Sequence, residues 1–159
     1  IANANASGDG GDDDGVTLPT LRQAEAASMN VVARGAGAYL QAFVDWNGDG
    51  DFADAGEQIA TDLQDGGPLD TSSSAAIIEF AVTPPASAII TAPTFARFRW
   101  STAAGLSATA IAPDGEVEDY QLTILFGIDA VADDFTGSPF LVGSGGSTGI
   151  RCSTSQRRL

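Results

Sequence analysis

Five carboxylates and an asparagine crowd into thirteen residues of this 159-residue chain: Asp45-Trp46-Asn47-Gly48-Asp49-Gly50-Asp51-Phe52-Ala53-Asp54-Ala55-Gly56-Glu57. Asp45, Asn47, Asp49 and Asp51 recur at every second position, and Gly50 stands at the sixth, the D-x-[DN]-x-[DN]-G opening of an oxygen-ligand calcium loop. A hard divalent cation takes about six to eight oxygens, and alternating Asp and Asn let a tight turn converge several on one point. Asp51, at the seventh position, would lend its backbone carbonyl. The match to an EF-hand then fails: the twelfth position is Gly56 and Glu57 arrives one residue late. The expected site is therefore a calcium loop between strands, closed by Asp54, by Glu57 or by another segment. The same residues also suit a polar hairpin loop of Asx turns that holds no ion. Crowded carboxylates repel one another without a cation, which favours calcium as the bound species.

A second acidic stretch, Pro113 to Tyr120, leads into a strand. Glu116 and Glu118, two apart, point to one face of a strand, and Val117 and Asp119 to the other. Glu116 and Glu118 are candidates to complete a cation site, with Asp119 beside them, or to accept salt bridges from Arg97 and Arg99. Paired carboxyls about 5 to 9.5 Å apart also serve glycosidases. No substrate-groove sequence and no separate nucleophile accompany this pair, so the chain is read as not an enzyme.

Short strands must position these residues. Apolar, aromatic and β-branched residues fill Met29–Arg34, Tyr39–Trp46, Ala75–Val82 and Thr94–Trp100. Ala96, Phe98 and Trp100 alternate with Arg97 and Arg99. Between Glu116 and Phe126, Tyr120, Leu122, Ile124 and Phe126 share a face. Gln23–Ser28 has helix-compatible composition but is too short for a helix, and Pro19 makes Val16–Leu21 an edge or extended entry. Such strands, separated by Gly, Pro and Asp turns, indicate an all-β fold, an antiparallel β-sandwich of immunoglobulin or jelly-roll kind with disordered termini. Trp46 and Trp100, with Tyr39 and Tyr120, read as core aromatics or as a sugar-stacking platform.

Composition narrows the chemistry. The chain has no His and no Lys, one Cys, and a formal charge of −14. This excludes Ser-His-Asp and Cys-His nucleophilic pairs, Cys/His zinc sites and an internal disulfide. So negative a field disfavours nucleic acid and favours hard cations. Residues 1–80 hold 14 acidic and 2 basic residues, against 7 and 5 in residues 81–159. Residues 1–15 read as an acidic Gly/Asp-rich linker, 16–128 as the module, and 129–159 as the start of a following module or a disordered tail carrying Cys152. The opening without Met, basic n-region or apolar h-region suggests a piece of a longer chain. No apolar run is long enough for membrane insertion.

With these residues in view, the chain resembles a GEVED domain, a module of large bacterial secreted and surface proteins. The motif stands intact as Gly115-Glu116-Val117-Glu118-Asp119, followed by Tyr120-Gln121-Leu122. Asp13-Asp14-Gly15-Val16, Phe43 to Phe52, Gly56-Glu57-Gln58-Ile59, Ala96-Arg97-Phe98-Arg99 and Ser101 to Leu106 also match in order, together covering roughly residues 12–126. Residues 129–149 are similar to the start of a cadherin-like repeat. The resemblance implies a non-catalytic, extracellular or cell-surface module, structural or adhesive, flanked by neighbouring modules of its parent chain. Its expected partners are calcium and a cell-surface glycan or protein ligand. The alternative is a carbohydrate-binding module attached to a secreted polysaccharide-active enzyme, which needs an exposed aromatic pair.

Overall fold

The computed structural model describes residues 15–34 and 37–128. The readings made for residues 1–14 and 129–159, Cys152 included, lie outside the described residues. Among the described residues nine strands form: β1 (Val16–Thr17), β2 (Leu21–Arg22), β3 (Ala27–Val32), β4 (Tyr39–Val44), β5 (Gln58–Leu63), β6 (Ile77–Val82), β7 (Thr94–Ser101), β8 (Glu116–Leu122) and β9 (Ile124–Leu125). Among the described residues there is no helix, and so none long and apolar enough to cross a membrane.

The strands make an all-β sandwich, as the sequence leads one to expect. One sheet has the order β1-β3-β6 and the other β5-β4-β7-β8, every pairing within them antiparallel; β2 and β9 add a short parallel pair. Strand alternation decides which side chains meet between the layers. Met29 and Val31 of β3 lie opposite Phe80 and Ile78 of β6. They meet Leu40, Ala42 and Val44 of β4, Ala96 and Phe98 of β7, and Leu122, all buried in one core cluster.

The outer face of the four-stranded sheet is also buried. Gln41, Phe43, Arg97 and Arg99 stand there, and none is more than 8% exposed. A strand covered on both sides has no wet face, and the side-chain amide of Gln41 in β4 is buried and hydrogen-bonded to Gln58 and Asp62 of β5. Two loops supply the cover: the acidic loop 45–57 and the segment 102–115 between β7 and β8.

Two elements depart from expectation. β5 carries no alternating pattern, and its pairing with β4 shifts register between Leu40 and Ala42 and again before Phe43. Asp62 within it takes a left-handed φ of 52°, so buried residues fall at every third position instead of every second. The strand expected to run from Glu116 to Phe126 breaks at Thr123; β9 then pairs with β2 through Leu21–Ile124. Alternation survives to the buried Ile124, but Phe126 is 68% exposed and does not join the core face assigned to it. Gln23–Ser28 is a turn at Gln23 and Ala24 running into β3.

Candidate metal centre

The acidic loop leaves the end of β4 and returns into β5, so its two ends are fixed side by side. Val44 N–H donates to the Glu57 carbonyl (2.8 Å), and Asp45 N–H to the Phe95 carbonyl (3.0 Å). Asp45 and Glu57 sit at this base, 2% and 1% exposed. Each spends both carboxylate oxygens on main-chain donors. Asp45 accepts Gly48 N–H (2.6 Å) and Gly50 N–H (2.9 Å). Glu57 accepts Trp46 N–H (3.0 Å) and Asp54 N–H (3.1 Å).

The rest of the loop is a chain of Asx turns: Asn47 Oδ1 accepts Asp49 N–H, Asp49 Oδ1 accepts Asp51 N–H, and Asp51 Oδ1 accepts Ala53 N–H. Asn47 Nδ2 bridges Asp49 Oδ2 (3.0 Å) and Asp54 Oδ2 (2.6 Å). Trp46 seats the loop from below, with Nε1–H on the Gly56 carbonyl (3.0 Å). Phe52 seats it from above, its ring 6.1 Å from that of Phe43 and beneath the Arg97 guanidinium, 5.7 Å from the centroid. In the sequence an isolated Phe in an acidic loop gives no sign of what it lands on.

Burial pushes the Glu57 carboxyl above its ordinary value; the two N–H donors oppose this, and the Asp45 and Asp54 charges add to it. Folded Glu57 therefore holds its proton more firmly than the unfolded chain does. The advantage to folding is full below the ordinary value of 4.5 and is lost as pH rises through the raised one. Wild type is expected to lose stability relative to Glu57→Gln as pH rises from about 4 to about 7. Urea melts across that range check it; a pH-independent difference between the two proteins sinks it.

The donor set suits a hard cation in kind, being carboxylate and amide oxygens only. Its arrangement is another matter. Among the described residues no group of three or more Asp, Glu or Cys side chains is set to hold a metal ion. Asn47, Asp49, Asp51 and Asp54 are exposed, each with hydrogen bonds inside the loop, whereas Asp45 and Glu57 are buried with both carboxylate oxygens on main-chain donors.

The second acidic stretch does not reach this loop as a set. Pairing of β7 with β8 places Arg97 opposite Asp119, Arg99 opposite Val117, Phe98 opposite Glu118 and Trp100 opposite Glu116. Opposed residues share a face, so Glu116 and Glu118 point away from both arginines, and the expected salt bridges to them do not form. Arg97 instead grips Asp119 with Nε and Nη2, each at 2.7 Å. Its Nη1 donates to the Ala108 carbonyl (2.9 Å). Arg99 donates to the carbonyls of Ser107 and Ala110. Burial, then the neighbouring Arg97 charge, lowers the Arg99 pKa.

On the inner side, Glu118 is 7% exposed and accepts the Tyr120 hydroxyl (2.6 Å), while Glu116 is exposed. They border a cavity of about 120 Å³ lined also by Val31, Leu40, Phe98 and Trp100. Trp46 is 6% exposed, and Trp100 is half-buried with its Nε1–H on the Arg34 carbonyl (2.7 Å). Of the two tryptophans, Trp46 is closed to a stacking sugar and Trp100 is partly open.

Gly115 turns the chain into β8. Its φ is +93°, and a Cβ there would lie 1.8 Å from the Trp100 carbonyl oxygen. Asp114 before it accepts Thr102 Oγ1 (2.5 Å), Thr102 N–H (2.9 Å) and Ser101 Oγ (2.8 Å). Those bonds, the Thr102 hydroxyl first, hold its carboxyl below the ordinary value. A family model described as GEVED domain matches residues 39–123. The chain belongs to the GEVED domain family. Neither a curated protein nor a solved structure matches it. In this GEVED domain the name-giving residues divide by role: Gly115 permits a close backbone approach, Glu116 and Glu118 face the cavity side, and Asp119 pins Arg97 on the opposite face.

Proposed function

We propose that this GEVED domain is a non-catalytic structural and adhesive module of a larger extracellular or cell-surface bacterial protein, in which calcium stiffens the loop 45–57. The observation that carries the reading is the base of that loop. Two carboxylates, Asp45 and Glu57, are almost fully buried side by side, Glu57 is raised partly by the charges of Asp45 and Asp54, and the acidic side chains above them are exposed. A divalent cation drawn to Asn47, Asp49, Asp51 and Asp54 relieves that repulsion, leaving Asp45 and Glu57 in their main-chain bonds. An ion that binds only the folded state stabilises it by about 2.7 kcal/mol at a hundredfold excess over Kd.

The non-catalytic reading draws support from the other acidic pair. Glu118 is buried and its carboxylate accepts the Tyr120 hydroxyl, the bond of a structural carboxylate.

Thermal melts of the full chain in EGTA, in millimolar calcium and in millimolar magnesium test the reading. The midpoint is expected to rise in calcium, and the rise to vanish in the double variant Asp49→Asn/Asp51→Asn. Identical midpoints in all three solutions would remove calcium and leave a structural module whose loop is closed by its own hydrogen bonds.

A further inference from the structure

Asn47–Gly48 is the only Asn-Gly step in the sequence, and the fold surrounds it with groups suited to one reaction. Asn47 is exposed, so water reaches its side chain. Its Oδ1 accepts Asp49 N–H at 2.9 Å, which folds the side chain back over the following peptide and polarises its carbonyl. The nitrogen of that peptide, Gly48 N, donates its hydrogen to Asp45 Oδ1 at 2.6 Å, a carboxylate placed to receive the proton. Glycine suits this step by its backbone. Gly48 has φ +75°, a left-handed conformation that favours glycine, and with no side chain on Gly48 its nitrogen is sterically open.

We propose that Asn47–Gly48 is a self-modification site, at which the folded loop expels the Asn47 amide as ammonia and leaves a third carboxylate between Asp49 and Asp54. Gly48 N gives up its proton toward Asp45 and bonds to Asn47 Cγ; the Cγ–Nδ2 bond breaks, and Nδ2 departs as ammonia carrying that proton. The product is a five-membered succinimide. Water opens the ring at either carbonyl, giving aspartate or isoaspartate. Water is the sole co-reactant, and nothing is oxidised or reduced.

The consequence follows from what the amide does before it leaves. Its two hydrogens lie between Asp49 Oδ2 and Asp54 Oδ2, at 3.0 and 2.6 Å. Conversion replaces that donor with a negative oxygen and sets three carboxylates around one point. The loop then loosens unless a cation enters, a step that rests on the calcium reading above.

The test incubates the full chain at neutral pH, folded and in parallel unfolded in urea, and follows the Asn47 and Asn30 peptides by mass spectrometry. In the folded chain Asn47 is expected to convert at least as fast as in urea, and about tenfold faster than Asn30, which is held in β3 before Val31. Asn47→Gln, which keeps the amide but lengthens the ring to be closed, is expected to stay unmodified. An Asn47 that persists in the folded chain while converting in urea overturns the proposal, because the fold then protects the step. Asn47→Asp is expected to melt lower than wild type in EGTA and to recover in calcium. Conversion of wild type together with a calcium-indifferent Asn47→Asp upholds the modification and refutes the calcium reading alone.

Discussion

Gly115→Ala is expected to destabilise the domain by about 4 kcal/mol or more, which puts it among the exceptional single substitutions. The Cβ would stand 1.8 Å from the Trp100 carbonyl oxygen and 2.9 Å from Ser101 Cα, all main-chain atoms of a central strand that cannot swing aside. Relief requires β8 to move away from β7, opening the ladder that carries Glu116 opposite Trp100. Gly105→Ala is the matched control. Gly105 also has a left-handed φ, +67°, but nothing lies within 4 Å of its added Cβ, so only the left-handed cost of about 1 kcal/mol applies. Urea denaturation of the two variants beside wild type checks the contrast. Equal losses would show that backbone conformation alone, and not the approach to Trp100, makes Gly115 necessary.

Arg97→Leu is expected to cost about 3 kcal/mol. Arg97 and Asp119 are 9% and 16% exposed in their side chains, so removing the guanidinium leaves a carboxylate largely shut off from water. It also strands the Ala108 carbonyl and removes the cation above Phe52. Asp119→Leu is expected to cost a similar amount. The double variant Arg97→Leu/Asp119→Leu should cost less than the sum of the two by about 1 to 2 kcal/mol, since neither charge is then left alone. Arg97→Leu should also speed proteolytic cleavage within 102–115. Additive costs with unchanged cleavage would mean that the pair is incidental to the loop's attachment.

The elements legible in the sequence are those whose side chains obey the strand period without interruption. β7 alternates cleanly, and its arginines announce a second environment on the far face. What could not be read was the destination of those arginines. Face assignments within one strand say nothing of register, and register decided that Arg97 meets Asp119 and leaves Glu116 and Glu118 on the other side. β5 leaves no strand pattern in the sequence because Asp62 breaks the period on which strand recognition depends. The parallel pairing of β2 with β9 joins residues about a hundred positions apart and two residues long, too short to leave a pattern.

The acidic loop was legible as a cluster of donors, whereas their use was not. Asp45 and Asp49 look alike in the sequence. Burial at the end of β4 makes the first a fastening for Gly48 and Gly50, and only the second remains open to solvent. The Gly115 contact was likewise hidden, since the motif shows which residues stand together and not how near Trp100 passes.

Arg97 and Arg99 take hold of the 102–115 segment by three main-chain oxygens, those of Ser107, Ala108 and Ala110. Carbonyls are the same whatever side chain follows them. Leu106 and Ala108 are buried and must keep their size, but Ile111 is 96% exposed and contributes nothing to the grip. The clasp is thus indifferent to spelling: outward positions of the segment can be rewritten while its path over the sheet is kept. The segment is fastened through its main chain, and a change at an outward position such as Ile111 leaves its seat on the sandwich intact.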